Sequence, residues 1–227
     1  MTQSARPYRI AVIGGTGPQG KGLGYRFARH GHTVVLGSRS ADKAGPVAAE
    51  VTERLAGVEG AGQVTGAANP DACADAEVVV LAVPYDGHDE LVASLPLDGK
   101  VVVSCVNPLG FDKAGPYGRL VDGGEGSAAE SAQRIVPGAR VVGAFHHVSA
   151  PILWSDRDYL DEEDVLVCGD DADAKQVVIE LARCVTGRDG VDAGRLRLAR
   201  QLEPLTAVLI SINKRYKTHS GIRISGI

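Results

Sequence analysis

An apolar run that breaks into glycines constrains this chain more than any other feature. In the segment RIAVIGGTGPQGK, residues 9–21, a strand-like stretch ends at a pair of glycines and a helix-like stretch begins. Gly15, Gly17 and Gly20 stand in the G-x-G-x-x-G spacing that lets backbone N–H groups approach a pyrophosphate at a helix N-terminus. Pro18 fits the first turn of that helix, where its missing N–H costs nothing. The bland reading is a tight βα turn with no ligand; the placement between strand and helix favours the dinucleotide fingerprint.

Such a turn belongs to an alternating α/β chain, and the sequence has that rhythm. Residues 8–13, 33–36, 77–83, 100–105 and 141–145 read as buried strands, with a shorter one near 63–65. Helical patterns cover 19–30, 41–55, 87–95 and 127–135, the last opening on a capping box of Ser127 and Glu130. The stretch 107–126, rich in Gly and Pro, reads as a long loop. After residue 150 the rhythm changes to a strand at 164–168, a helix at 172–186 and a long helix at 195–219 containing Pro204. The expectation is a Rossmann-type doubly wound parallel sheet over residues 1–150, and a smaller, mainly helical domain over 151–227.

Composition narrows the partners. Apolar residues make up 44% and aromatics only 4%, as suits a parallel sheet buried on both faces. A net charge of -4 gives no support for nucleic acid or an anionic membrane surface. No apolar run approaches the roughly 20 residues a membrane helix needs. The polar start, MTQSARPYR, lacks the apolar core of a signal peptide. Cys73, Cys105, Cys168 and Cys184 show no metal or C-x-x-C spacing and read as reduced, mostly buried thiols of a cytoplasmic protein.

Chemistry-bearing residues gather where the expected strands end. These ends carry Gly14–Gly17, Ser38 and Arg39, Pro84 and Tyr85, Asn107 and Pro108, and His146 and His147. An NAD site would place an acid after the second strand, about 20 residues past the fingerprint. Ser38, Arg39 and Ser40 stand there instead. Arg39 can pair with a 2′-phosphate, Ser38 and Thr16 can donate to it, and Lys43 can add a second positive charge, so the expected cofactor is NADP. Either histidine can hydrogen-bond a substrate carbonyl or ring nitrogen; the alternative is a capping or surface histidine. The run Asp161, Glu162, Glu163, Asp164 reads as a solvated loop, with a metal role disfavoured. Lys214, Arg215 and Lys217 read as a solvated helix face, with contact to a polyanionic substrate tail as the alternative. No hydrolase triad, zinc motif, Walker loop or Y-x-x-x-K pair is visible. That pattern suits a hydride passed directly between two ring carbons, which needs alignment and water exclusion more than an acid or base.

With these tracts in hand, the chain resembles the NADPH-dependent reductases of the deazaflavin coenzyme F420 (F420:NADP oxidoreductases). The likeness runs from Ile10 to Ile227 through IGGTGPQGKGL, GSRSADKA, LAVPYDGH, GAFHHVSA, VCGDD and RQLEPLTAVLISIN, in that order. It implies reversible hydride transfer between NADP(H) and F420, with no catalytic side chain and no metal. It implies that Thr16, Ser38, Arg39 and Lys43 hold the 2′-phosphate, and that Val83 and Pro84 pack near the nicotinamide. His146 matches the family's histidine near the deazaflavin. The tail 221–227 would help wall that pocket, and members are usually dimeric. The cofactor-binding set expected is Gly15, Thr16, Gly17, Pro18, Gln19, Gly20, Ser38, Arg39, Lys43, Val83, Pro84, Asn107 and His146. The chain departs from the family directly after His146, where archaeal members are more proline-rich than His147-Val148-Ser149. Two rivals stand beside this reading: another NADPH reductase acting on an imine, ketone or ferric complex, and a non-catalytic NADP sensor.

Overall fold

The computed structural model describes residues 6–124 and 126–227. Residues 1–5 of the polar start, and Glu125 in the Gly/Pro-rich stretch, lie outside the described residues. The first half runs β1 (Arg9–Ile13), α1 (Pro18–Arg29), β2 (Thr33–Ser38), α2 (Ala41–Arg54), β3 (Val64–Ala68), α3 (Asn69–Ala74), β4 (Val78–Leu81), α4 (His88–Ala93) and β5 (Val101–Ser104). A hairpin of β6 (Leu109–Asp112) and β7 (Gly115–Gly118) follows, then α5 (Ala128–Ile135) and β8 (Arg140–Gly143). The remainder is α6 (Ala150–Leu153), β9 (Leu166–Gly169), α7 (Ala172–Leu181), α8 (Arg183–Thr186), β10 (Val191–Gly194) and α9 (Ala199–Tyr216).

Eight strands form one sheet in the order β10-β9-β8-β5-β4-β1-β2-β3. All neighbours are parallel except β8 and β9. Strand side chains alternate between two buried layers. Ile10, Val12, Val78 and Val80 meet Leu23 and Phe27 of α1 and Val51 of α2 on one face. Ala11, Ile13, Val79 and Leu81 meet Ala72 of α3, Val92 of α4 and Ala132 of α5 on the other. This is why the strands read as unbroken apolar runs: both faces are covered. Each buried Val, Leu, Ile or Phe side chain contributes about 1.5–3 kcal/mol.

The chain leaves β3 at one edge and lays β4 on the far side of β1. The carboxyl ends of β1 and β4 therefore open a crevice, the usual ligand site of an open α/β sheet. Beyond residue 150 the chain stays in the same sheet: β9 pairs antiparallel with β8, and β10 pairs with β9. The stretch read as mainly helical thus adds two strands as well as α7, α8 and α9. The Gly/Pro-rich stretch read as a loop contains the β6–β7 hairpin, whose turn is closed by Asp112 Oδ1 accepting from the N–H groups of Ala114 and Gly115.

One buried cation braces this frame. Arg26 of α1 is fully buried and donates to the backbone carbonyls of Leu153 (2.8 Å), Arg157 (2.6 Å) and Asp158 (2.9 Å), among others. Burial holds its pKa below the usual arginine range. It fixes the segment 150–158, which borders the crevice, to the helix that follows the glycine turn.

Candidate functional site

The glycine turn folds as its spacing requires. Gly14 takes φ +80°, and a Cβ there would strike the Ala82 carbonyl. A Cβ on Gly20 would strike the Gly14 carbonyl, so this glycine lets α1 sit directly on the turn. Gly15 is buried and donates its N–H to Gly37 O at 3.0 Å, tying the turn to β2. Gly17 caps α1 and Pro18 opens it, with no carboxylate in the first turn. The free N–H groups and positive dipole end of α1 thus meet no opposing charge of their own.

Two clefts meet at this turn. The smaller, about 460 Å³, is lined by Thr16, Gly17, Ser38 and Arg39 on one side and Val83 and Pro84 on the other. Ser38 is buried at the end of β2, while Arg39 and Thr16 are exposed. Among the described residues Arg39 and Lys43 have no ion-pair partner. Lys43 is exposed in the first turn of α2 and is not among the residues lining this cleft. Asn69, at the start of α3, lines it too, with a buried Oδ1 that has no hydrogen-bond partner among the described residues. Nothing before Pro70 signalled a helix in the sequence, so Asn69 escaped notice. Asp86, also on this rim, is held by Arg119 from the hairpin segment at 2.5 Å, and Arg119 lies over the Tyr85 ring.

The larger cleft, about 550 Å³, shares Gly17, Val83 and Pro84 with the smaller one. Pro18, Gln19, Asn107, His146 and His147 line it from the sheet side. Thr206, Leu209 and Ile210 of α9, with His219 and Ser220 beyond it, line the other. Sequence reasoning did not single out Thr206, although it sits in the LEPLTAVLI tract. The end of β8 is strained and clamped: Phe145 has φ +62°, a conformation costing about 1–3 kcal/mol in a residue with a Cβ. Gln19 Nε2 donates to Phe145 O at 3.2 Å. Asn107 Nδ2 (3.0 Å) and Thr206 Oγ1 (2.9 Å) both donate to His146 O. Because a carbonyl can only accept, Asn107 must offer it the amide nitrogen, which leaves its Oδ1 bare and buried.

Neither histidine is a surface or capping residue; each is 3% exposed. Burial pushes the His146 pKa down to about 3, so the ring is neutral, and neither of its nitrogens has a partner among the described residues. Burial also lowers the His147 pKa, against a 2.8 Å hydrogen bond from Nε2 to Asp164 O.

The acidic run corrects the reading of a solvated loop. Asp161 and Glu162 are exposed, but Glu163 and Asp164 are buried. Burial lifts the Glu163 pKa to about 7, and among the described residues its Oε2 has no partner. Burial also pushes the Asp164 carboxyl up, but the Ile224 N–H, Arg188 and Arg223 outweigh it and hold the pKa below the usual range. Glu203 of α9, 1% exposed, accepts from the N–H groups of Ala128 and Ala129 and so docks α9 on the start of α5. Lys214, Arg215 and Lys217 are exposed. Among the described residues no cluster of three or more His, Cys, Asp or Glu could hold a metal.

The site residues fit a phosphorylated dinucleotide. A glycine turn that a Cβ would fill, a helix N-terminus without carboxylates and one cation, Arg39, with no ion-pair partner among the described residues face one cleft; bare buried acceptors border the other. Fold and site together define a Rossmann-type dinucleotide-binding protein with a second cleft adjoining the first at Gly17, Val83 and Pro84. Comparison with known proteins is more specific. A family model described as "NADP oxidoreductase coenzyme F420-dependent" matches residues 9–108. The F420-dependent NADP reductase of Methanothermobacter thermautotrophicus is 42% identical over 96% of this chain and 95% of its own length. That of Methanocaldococcus jannaschii is 38% identical over 96% and 99%. A crystal structure from Arthrobacter sp. FB24, described as a candidate F420-dependent NADP reductase, matches with a TM-score of 0.77 at 29% identity. It covers 96% of this chain and 100% of that one. The chain belongs to the F420-dependent NADP reductase family.

Proposed function

We propose that this chain is an oxidoreductase that moves a hydride reversibly between NADP(H) and the deazaflavin coenzyme F420. The observation that carries this reading is the meeting of two clefts at Gly17 and Val83–Pro84, one lined by the cation Arg39 and one walled by α9. Thr16, Ser38, Arg39 and Lys43 hold the 2′-phosphate. Gly15, Gly17, Pro18, Gln19 and Gly20 build the turn and helix end that receive the pyrophosphate. Val83 and Pro84 form the step on which the nicotinamide rests, with Asn107 and His146 at the border with the second ring. When both ligands are bound, the reduced ring supplies the hydride to its neighbour. The protein's own residues align the two rings and exclude water, which suffices where no proton must leave a side chain. His146, neutral at ordinary pH, orients a ring rather than acting as an acid.

Residues 1–150 form the NADP-binding part and residues 151–227 close the deazaflavin site. In support, every residue lining the smaller cleft precedes residue 150, whereas the larger cleft takes α9 and the tail. The working form is a cytoplasmic homodimer. Val208, Ile212 and Tyr216 form an exposed stripe at helical spacing on α9, and all four cysteines are free and buried. The test is optical. NADPH mixed with oxidised F420 and the pure protein bleaches the deazaflavin's visible absorbance; active ligands with no bleaching would remove the assignment.

A further inference from the structure

The last ten residues leave α9 through Lys217, which sits in the left-handed region at φ +52°, and turn back toward the sheet. Asn213 Oδ1 catches the turn by accepting from Ser220 N (2.6 Å) and Ser220 Oγ (2.7 Å). His219 and Ser220 then border the larger cleft. Arg223 Nη1 donates to Asp161 O at 3.0 Å, and most of the other polar contacts that seat the rest of the tail come from one buried residue, Asp164. Asp164 N donates to Ile222 O at 2.7 Å, and Asp164 Oδ2 accepts from Ile224 N at 2.8 Å. Arg223 Nε lies 3.7 Å from the same carboxylate, and Arg188 approaches Oδ1 at 3.1 Å from the opposite side. Ile222 and Ile224 can then pack against the buried layer on the α9 face of the sheet.

The same residue reaches the cleft by a second route. Its carbonyl oxygen stands 2.8 Å from His147 Nε2. A carbonyl cannot donate, so Nε2 carries the proton, and in the neutral ring Nδ1 is a bare acceptor. That Nδ1 is buried without a partner among the described residues, and His147 lines the cleft. A buried acceptor left unpaired is unfavourable, so a ligand donor that reaches it is favoured.

We propose that Asp164 is a positioning residue for the second substrate: its carboxylate seats the C-terminal tail over the cleft, and its carbonyl fixes His147 as a hydrogen-bond acceptor there. The ligand chemistry this selects is a flat heteroaromatic ring bearing an N–H or O–H donor, such as the imide N–H or phenolic O–H of a deazaflavin. The inference rests on the larger cleft being the F420 site. Nothing in it touches the NADP half, because no residue of this network lines the smaller cleft.

The test combines Asp164→Asn with a chain ending at residue 217. Asp164→Asn keeps the shape and removes the charge that draws Arg223 and Arg188. The expected result is a KM for F420 raised about 5- to 10-fold, with KM for NADPH unchanged and faster amide exchange at Ile222 and Ile224. Because Asp164 acts through the tail, the double variant loses little more F420 affinity than the truncation alone. A purely structural role would raise both KM values together, and fully additive effects would equally overturn the proposal. Histidine ¹⁵N spectra of the unmodified protein provide the second arm. They are expected to show His147 protonated at Nε2 and its Nδ1 shift moving when F420 binds; protonation at Nδ1 would refute the assignment. An N-methylated imide and an O-methylated phenol tell which donor reaches it. If F420 does not bind at all, both this inference and the reading of the cleft fall. If it binds without disturbing Nδ1, exchange at Ile224 or its own KM, only the inference falls.

Discussion

Replacing Arg39 by Ala isolates the feature that distinguishes NADP from NAD. Arg39 is exposed at the end of β2 and, among the described residues, makes no hydrogen bond or ion pair. Its removal therefore strands no group within the protein, and the change in affinity reports the contact with the ligand. A charge-assisted hydrogen bond is worth about 1.5–3 kcal/mol when shielded, and less in water. Exposure puts Arg39 at the lower end, so a loss of about 1.4 kcal/mol, or tenfold, is expected for NADP. NAD has no 2′-phosphate and should bind the variant as it binds the parent. The preference for NADP over NAD then falls by the same factor, and the salt dependence of NADP binding becomes shallower. Calorimetric titration of both nucleotides at two salt concentrations measures all three quantities. An NADP affinity within twofold of the parent, or an equal loss for NAD, would refute the reasoning.

Other perturbations follow from the buried charges. Glu163, lifted to about 7, binds its proton more tightly when folded, so its contribution to stability is present at low pH and is lost as pH rises from about 4.5 to 7. His146 and His32, lowered to about 3 and about 4, work in the opposite sense, and their contribution is lost as pH falls below about 6.5. Glu163→Gln should therefore gain on the parent by about 2 kcal/mol between pH 5 and pH 8, read from urea unfolding at each pH; a constant difference would count against a buried, protonated Glu163. Arg26→Met leaves several backbone carbonyls of the segment 152–158 without their donor and should cost about 3–5 kcal/mol. A loss below 1 kcal/mol in the same denaturation assay would mean that water replaces the guanidinium freely.

How far the sequence carried depends on what each residue's neighbours add. The strands covered on both faces, such as Val78–Leu81 and Val101–Ser104, were legible because burial on both sides leaves an uninterrupted apolar run. Ser127 as the cap of α5 was legible because capping is local, and its side chain accepts from Glu130 N as expected. The β6–β7 hairpin was not, because glycines and Pro116 hide a pairing of only four residues a side. Nor was β10, where the short Val191–Gly194, with Asp192 and a glycine among its four residues, finds its place only against β9. The acids at 163 and 164 show the same limit at the site. Their charge argued for solvent, but Arg188, Arg223 and the Ile224 N–H come from distant parts of the chain and make burial of Asp164 tolerable, while burial of Glu163 raises its pKa toward neutrality instead. The glycine turn, Arg39 and the paired histidines were visible as residue types. That His146 and His147 are buried, and that Thr206 closes on the backbone between them, required the fold.

The claim at the centre is that two rings meet face to face where the clefts join, and that the chain contributes alignment rather than a proton. NADPH carrying deuterium at C4 of the nicotinamide, on one face at a time, tests this in a single turnover with F420 in ordinary water. The account predicts that label from one face alone arrives on the deazaflavin ring carbon undiluted. Label from both faces, or its replacement by solvent hydrogen, would contradict it.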